Sequence, residues 1–239
     1  MGGLAIAFGF LTRLPVTTGE VTPRALGRAV AWFPVVGAAL GALLVALHAV
    51  LGDSGPAVVA LVAAHAGASG GLHLDGVADV FDALGGGRGS RDRMLAIMRD
   101  SRIGAHGAAA LGLVIAAKLA AVAEVVHHGA AWALFAAPIA ARWAVVPLIA
   151  WFPYARPEGL GKPFHGHAGG AQVAGASLAT AIALVGFGRP AALAAAAALA
   201  AALAIAVWLH RRLGGLTGDV YGAAIELAEL AFLVAASTT

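Results

Sequence analysis

Four side chains that could do chemistry stand close together in residues 70–82, directly after a long apolar run. His73 is followed by three carboxylates, Asp75, Asp79 and Asp82, at spacings of four and then three residues. On a helix this spacing places the three acids on one face, about one turn apart. Carboxylates so close repel one another unless a cation or protons compensate them, and oxygen ligands suit Mg²⁺ or Mn²⁺. The spacing therefore predicts a divalent-metal site, with a solvated acidic helix face as the alternative.

A second group combines two arginines, an acid and a hydroxyl just before another apolar segment. It consists of Arg99, Asp100, Ser101 and Arg102. Guanidinium forks bind phosphate oxygens through two parallel hydrogen bonds, so this group is a candidate anion site. The alternative is that both arginines only mark the cytoplasmic side of a membrane, as basic loop residues do.

Two glycine-containing stretches hold further candidates. Residues 154–164 offer Arg156 in a turn-rich segment that either binds an anion or is a plain loop. Residues 214–222 hold Thr217 and Asp219 among glycines, and glycine lets the backbone approach a ligand closely. Each stretch alone is a weak signal, and the pair becomes informative only if the fold brings them together.

Asp219 can share a helix face with two acids further along the chain, Glu226 and Glu229. Acids inside a membrane span are costly unless they face a polar cavity or a partner. These acids therefore belong to a functional site, or they are neutralised as structural pairs by Lys118 or Arg142, which lie within predicted spans.

The composition is that of an integral membrane protein. Of the 239 residues, 61% are hydrophobic and 11% are charged, whereas a soluble domain has about 25% charged residues. Abundant alanine and glycine suit close helix packing in a bilayer. Cysteine is absent, which excludes disulfides, thiol nucleophiles and cysteine metal sites. The excess of basic residues does not indicate nucleic-acid binding, because these residues lie in loops between apolar segments.

Hydropathy predicts one all-α domain over residues 1–239, a polytopic membrane helix bundle of about seven transmembrane helices. A shorter apolar segment, residues 4–14, is predicted to be interfacial or re-entrant, because it is too short to cross a hydrocarbon core of about 30 Å. The seven predicted spans are residues 29–51, 56–74, 107–126, 130–152, 172–187, 190–209 and 220–236.

The basic residues are distributed very unevenly between the two sides of the predicted membrane. Twelve of the 15 Lys and Arg residues fall in the N-terminal segment and in the loops 75–105, 153–171 and 210–219. One of the others falls on the opposite side, and two lie within spans. Because basic loops stay in the cytoplasm, the sequence predicts that the N-terminus and the candidate site residues face the cytoplasm.

Together these stretches resemble the cobalamin synthase family, the adenosylcobinamide-GDP ribazoletransferases. The most specific piece is the pattern Gly-Gly-Leu-His-x-Asp-Gly-x-x-Asp that begins at Gly70, whereas the alanine-rich spans carry no specificity. Ala83 and the pair Ala105-His106 depart from the family's pattern, but neither departure touches a charged group. The stretches that carry the resemblance, in the family's order, are residues 10–15, 70–82, 97–104, 154–161 and 214–222.

The resemblance implies a reaction. Such enzymes join adenosylcobinamide-GDP to α-ribazole or its 5′-phosphate, release GMP, and form adenosylcobalamin or its 5′-phosphate. They use a divalent metal, usually Mg²⁺, and lie in the cytoplasmic (inner) membrane. The candidate residues fit this chemistry, because attack on a pyrophosphate needs a metal and basic groups to neutralise its oxygens.

The resemblance also implies roles for the candidates. Asp75, Asp79 and Asp82 are expected to bind the metal, and one carboxylate or His73 is expected to accept the proton of the attacking hydroxyl. The expected substrate-binding residues are Arg102, Arg99, Asp100, Ser101, Arg13, Arg156, Thr217, Asp219 and Glu226. Of these residues, Asp219 and Glu226 would complete the metal shell or position the nucleophile.

Two other classes stay open on the sequence alone. In a transporter or channel, charged residues within the spans would form a coupling-ion pathway, but the polar residues concentrate on one membrane face and no inverted repeat is visible. Another membrane phosphotransferase would pair Asp-Gly with Ala-Arg and a second Asp-x-x-x-Asp, which this chain lacks. The expected partners are the two substrates and the lipid bilayer, without nucleic acid, and a homo-oligomer is left open.

Overall fold

The computed structural model describes residues 2–16, 21–159 and 161–238, and regular structure in these ranges is helical. One isolated bridge, between Tyr154 and Leu216, is the only pairing of extended backbone recorded among them. The prediction of an all-α membrane bundle is confirmed. The α-helices are α1 (Gly3–Leu11), α2 (Pro23–Ala29), α3 (Phe33–Leu51), α4 (Gly55–Ala68), α5 (Leu72–Gly86), α6 (Arg91–Ile97), α7 (Ala105–His127), α8 (Trp132–Ala144), α9 (Val146–Trp151), α10 (Gly170–Leu184), α11 (Gly188–Leu213) and α12 (Gly218–Ser237).

Five segments of the described chain are long and apolar enough to cross a membrane, and a bent pair of helices makes a sixth. The five are Pro23–Leu51, Ala105–His127, Trp132–Trp151, Gly170–Leu213 and Gly218–Ser237. Helices α4 and α5 are long and apolar enough to cross a membrane only when taken together, and their axes are bent by 87° relative to each other. This count is close to the predicted seven. Helix α1 has nine residues, too few to span, as the sequence predicts for residues 4–14.

The predicted second span, residues 56–74, is not one straight helix. Helix α4 ends at Ala68, and Gly70 and Gly71 both have positive φ values, 67° and 70°. Glycine adopts this conformation at no steric cost, so the chain changes direction here and α5 begins at Leu72. The bend of 87° turns the helix that carries the three acids away from the axis of α4.

The run Gly170–Leu213 counts as one candidate span but is unusually long. Its 44 residues would measure about 66 Å as a straight helix, roughly twice the hydrocarbon core. Gly188, with φ 64°, interrupts the run, and Thr180 and Ala195 from its two halves line one cavity. The run is therefore long enough for the two crossings that the sequence predicts there.

Glycines stand where helices approach one another most closely. On α3, a Cβ at Gly41 would collide with the carbonyl oxygen of Phe135 on α8. On α5, a Cβ at Gly76 would lie 2.5 Å from the carbonyl oxygen of Asp219 on α12. Small residues allow such backbone contact between membrane helices. The glycine after the first acid of α5 thus sets the distance between that helix and Asp219.

Replacing Gly76 by Ala is expected to destabilise the protein by roughly 1–3 kcal/mol, the usual cost of overpacking a tight contact, and to lower activity by separating α5 from α12. Thermal unfolding in detergent and turnover measure the two effects. Gly67→Ala in α4 is the matched control, because a Cβ there meets nothing within 4 Å. Equal thermal stability of the two variants would contradict the backbone contact at Gly76.

Candidate active site

A cavity of ≈ 1070 Å³, including its open mouth, lies beside the N-terminal half of α5. All four central candidate stretches of the sequence contribute charged or titratable side chains to its wall. These are His73, Asp75, Arg99, Arg156 and Asp219. The fold therefore brings together residues that stand far apart in the chain. The sequence alone shows only that they have charged or titratable side chains.

The connection between α9 and α10 meets the one between α11 and α12 through short backbone pairing. The Ala155 N–H donates to the Leu216 carbonyl at 2.8 Å, and the Leu216 N–H donates to the Pro153 carbonyl at 2.8 Å. The two turn-rich stretches therefore run side by side. This pairing brings the Arg156 guanidinium to 3.1 Å from the Asp219 carboxylate.

Asp219 is held on a second side by Thr217. The Thr217 hydroxyl donates to Asp219 Oδ2 at 3.1 Å and accepts from the Val220 N–H at 3.3 Å, so it also caps the N-terminus of α12. Thr217 is fully buried, so it contributes to the cavity by holding the Asp219 carboxylate in place. Arg156 is 9% exposed, and among the described residues its Nε atom has no hydrogen-bond partner.

Arg91 is a residue that the sequence did not single out. Its Nε atom donates to the Leu213 carbonyl at 2.7 Å and its terminal nitrogen donates to the Ala155 carbonyl at 2.9 Å. It therefore ties together the two stretches that carry Arg156 and Asp219. Nothing in the sequence distinguishes Arg91 from its neighbours, because its partners are carbonyl groups far along the chain.

The three acids of α5 have different surroundings. Asp75 lines the cavity, and the Asp79 carboxylate lies within electrostatic reach of the Asp75, Asp82 and Asp219 carboxylates and of the Arg156 guanidinium. Asp75 and Asp79 thus form the acidic pair that faces Asp219. Among the described residues, no group of three or more acidic or histidine side chains is close enough to hold a metal by itself.

Asp82 is engaged with the backbone of α7. Its two oxygens accept from the Gly104 N–H at 2.6 Å and the Gly107 N–H at 2.8 Å. The first turn of a helix has N–H groups without intrahelical partners and a partial positive charge, so a carboxylate is stabilised there. The predicted three-carboxylate metal set is therefore not preformed, and a metal-binding role for Asp82 stays a prediction.

The predicted arginine clamp is divided in the structure. Arg99 lines the cavity, whereas the Arg102 guanidinium pairs with Asp100 at 2.6 Å and its side chain is 86% exposed. The hydrogen bonds from Arg102 lower the pKa of the Asp100 carboxyl to about 2. Ser101, between them, is exposed. Substrate contact by these three residues is still a prediction.

Arg13 lies next to the bend rather than in the cavity wall. Its N–H donates to the Ala68 carbonyl at 2.9 Å, and its side chain packs against Gly70 so closely that no Cβ would fit there. Its exposed position, two residues after the cavity-lining Leu11, puts it near the start of α5. A phosphate contact by Arg13 stays a prediction.

Aromatic side chains form another part of the cavity wall. The Phe10 and Phe164 ring centroids are 4.5 Å apart, and those of Phe33 and Phe164 are 6.0 Å apart. Tyr154 and Tyr221 stand near the acids, and burial raises the pKa of the Tyr154 phenol, so this phenol is a hydrogen-bond donor at neutral pH. The sequence does not distinguish the three phenylalanines as site residues, because an isolated aromatic residue in an apolar segment looks like any core residue.

Glu226 is buried below the cavity and does not line it. Its carboxylate pairs with Lys118 Nζ at 2.6 Å, and Glu229 pairs with Lys118 at 3.0 Å and with Arg142 at 2.7 Å. The structural neutralisation that the sequence left open is therefore present. A Glu226 carboxylate oxygen lies 4.0 Å from Nδ1 of the cavity-lining His73, and direct substrate contact by Glu226 stays a prediction.

The fold and the cavity define a helical integral membrane protein in which a carboxylate group and two arginines share one pocket. The model of the cobalamin-5-phosphate synthase family matches residues 3–237. The chain belongs to this family, and the resemblance drawn from its motifs is confirmed.

Curated relatives match nearly the whole chain. A protein of Ectopseudomonas mendocina (strain ymp) is 43% identical over 96% of this chain and 96% of its own. One of Roseiflexus sp. (strain RS-1) is 41% identical over 95% of this chain and 86% of its own. One of Pseudomonas aeruginosa (strain UCBPP-PA14) is 42% identical over 97% of this chain and 96% of its own. Each is named adenosylcobinamide-GDP ribazoletransferase. No solved structure matches the chain.

Proposed function

We propose that this protein joins adenosylcobinamide-GDP to α-ribazole or α-ribazole 5′-phosphate and releases GMP. The supporting observation is that the family's charged motifs meet in one cavity, where Asp75, Arg99, Arg156 and Asp219 share a wall. The attacking oxygen of the ribazole displaces GMP from the pyrophosphate, and a phosphodiester to the corrinoid forms. A transporter is not favoured, because the relatives carry a transferase name.

Mg²⁺ is proposed as the cofactor, held by Asp75 and Asp79. Mg²⁺ commonly binds to one or two carboxylates, keeps several waters and takes its remaining ligands from substrate phosphates. This fits an acidic pair that lacks a third converging ligand among the described residues. When bound, the ion neutralises pyrophosphate oxygens as charge develops on them.

The residues of the chain then have separate tasks. Arg99 and Arg156 bind phosphate oxygens, and the buried Nε–H of Arg156 is a donor available for this. Asp219 keeps the Arg156 fork in place through their 3.1 Å contact. A cavity carboxylate accepts the proton of the attacking hydroxyl. The aromatic wall offers flat apolar surface to the base of the nucleotide substrate.

We place the protein in the cytoplasmic (inner) membrane with the cavity open to the cytoplasm. The cavity is lined from the basic N-terminal part and from the basic loops, the segments that hold twelve of the 15 Lys and Arg residues. A reporter inserted in residues 87–90 is therefore expected to be cytoplasmic, and one fused after residue 239 to be on the other side, since seven crossings begin inside. A cytoplasmic C-terminal reporter would contradict seven crossings and point to an α4–α5 pair that does not cross.

The reaction is tested directly with membranes that contain the protein. They are incubated with adenosylcobinamide-GDP, α-ribazole and Mg²⁺, and mass spectrometry follows the complete corrinoid and GMP. Product formation that stops with a chelator and resumes with added Mg²⁺ is expected. Product formation unaffected by chelation would overturn the metal assignment, and absence of any product would overturn the proposed activity.

A further inference from the structure

A network of charged and histidine side chains is buried inside the helix bundle, directly below the cavity. All of its members are at most 6% exposed. We call this network the buried polar cluster, and it consists of His65, His73, Lys118, Arg142, Glu226 and Glu229. The cluster reaches the proposed site at one point, because His73 also lines the cavity.

The cluster determines which nitrogen of His65 carries the proton. Arg142 lies 3.4 Å from His65 Nε2, and a guanidinium only donates hydrogen bonds. His65 Nε2 must therefore accept, which leaves the proton on Nδ1. That Nδ1–H has an acceptor in place, the Glu229 carboxylate at 2.9 Å.

Arg142 also determines the tautomer of His73, but there it faces Nδ1 and not Nε2. The same terminal nitrogen of Arg142 lies 3.4 Å from His73 Nδ1, so Nδ1 accepts. The alternative acceptor for a proton on Nδ1 is Glu226, whose oxygen is 4.0 Å away, beyond hydrogen-bond distance. The proton of His73 therefore belongs on Nε2.

Three buried atoms of the cluster have no hydrogen-bond partner among the described residues, His73 Nε2, Arg142 Nε and Glu226 Oε2, although nearly all buried polar groups in proteins have one. Glu226 Oε2 lies 2.6 Å from Lys118 Nζ, and His73 is the one of these three residues that lines the cavity. His73 is 2% exposed and lines the cavity two residues before Asp75. A substrate oxygen in the cavity would supply the missing acceptor.

We propose that the buried polar cluster holds His73 as the neutral Nε2–H tautomer, and that this N–H is a fixed hydrogen-bond donor to a phosphate oxygen of the substrate. This rests on the proposed function for the identity of the acceptor. Arg142 is then a positioning residue that acts through His73. The attacking hydroxyl gives its proton to a cavity carboxylate and not to His73, which has no free lone pair toward the cavity.

The tautomer is measured without substrate, by nitrogen NMR of the full-length protein labelled with ¹⁵N-histidine in detergent. The His73 signals are identified as those lost in His73→Gln. We expect a neutral ring with the proton on Nε2. A ring protonated on Nδ1, or on both nitrogens at neutral pH, would overturn the proposal whether or not the protein has the proposed activity.

Arg142→Lys removes the guanidinium that faces both histidines and keeps the charge. We expect the His73 signals of this variant to shift toward the Nδ1–H tautomer or a mixture. An unchanged His73 tautomer would remove Arg142 from the positioning role. The spectrum of the unsubstituted protein decides the tautomer by itself, so the proposal remains testable if this buried variant does not fold.

Two substitutions of His73 separate a donor from a base in turnover. The amide nitrogen of His73→Gln reaches the position of Nε2 and can donate, whereas that of His73→Asn reaches the position of Nδ1. Loss of a donor at a developing charge costs roughly 10²–10³-fold in kcat, so we expect that loss in His73→Asn and a clearly smaller one in His73→Gln. His48→Gln, which alters a histidine paired with Asp53 away from the cavity, is the control. Equal loss in both His73 variants would overturn the donor role.

Discussion

Asp79→Asn is expected to reduce turnover by roughly 10³-fold, comparable to removing a principal electrostatic contact to a transition state. The Asp79 carboxylate lies in the field of Asp75 and Asp219, where a cation relieves the repulsion that accumulates among the acids. The amide keeps the shape of the side chain but removes the charge that binds the metal. Turnover is measured over a series of Mg²⁺ concentrations, and the fold is checked by thermal unfolding in detergent.

Asp92→Asn is the matched control for this substitution. Asp92 is also an acid on a helix, but its side chain is 92% exposed, and it is not among the charged groups that act on the Asp79 carboxylate. We expect this variant to turn over at the rate of the unsubstituted protein. Full activity of Asp79→Asn at limiting Mg²⁺ would exclude Asp79 as a ligand, and equal loss in both variants would mean that the effect is not specific to the acidic pair of Asp75 and Asp79.

Arg156→Lys is expected to lower kcat by roughly 10²-fold, or about 2.7 kcal/mol, with a smaller change in KM. Lysine retains the charge and loses the planar fork that can contact Asp219 and a phosphate together. The side chain of Arg156 is buried at the cavity wall, and its Nε–H has no partner among the described residues. Steady-state kinetics with the pyrophosphate substrate give both parameters.

Arg102→Lys provides the comparison. The sequence predicts that Arg102 binds a phosphate, but the structure pairs it with Asp100 on an exposed surface. Exposed ion pairs contribute little free energy, so we expect the kcat of Arg102→Lys to be close to that of the unsubstituted protein. A loss in Arg102→Lys as large as that in Arg156→Lys would mean that Arg102 leaves Asp100 and reaches the phosphate when substrate is bound.

Local patterns in the sequence predict those parts of the site that depend on a single helix. The spacing of Asp75, Asp79 and Asp82 requires only the helical period, and the structure has all three on α5. Gly70 and Gly71 belong to the motif, but the pattern does not predict the bend that they produce. Two consecutive residues with positive φ end α4 and produce a bend of 87°, and hydropathy averaged over a window does not detect such a break.

The sequence by itself determined the class of protein, the family and the set of candidate residues. Apolar length and charge asymmetry are properties of short segments, and the motifs are contiguous. Only the tertiary structure decided which candidates share the cavity and which are engaged elsewhere. Asp82 caps a helix 22 residues away, and Glu229 meets Lys118 across 111 residues of chain. The physical reason is that a charged side chain takes the nearest partner that burial and packing leave to it, and that partner is set by helix contacts distant in sequence.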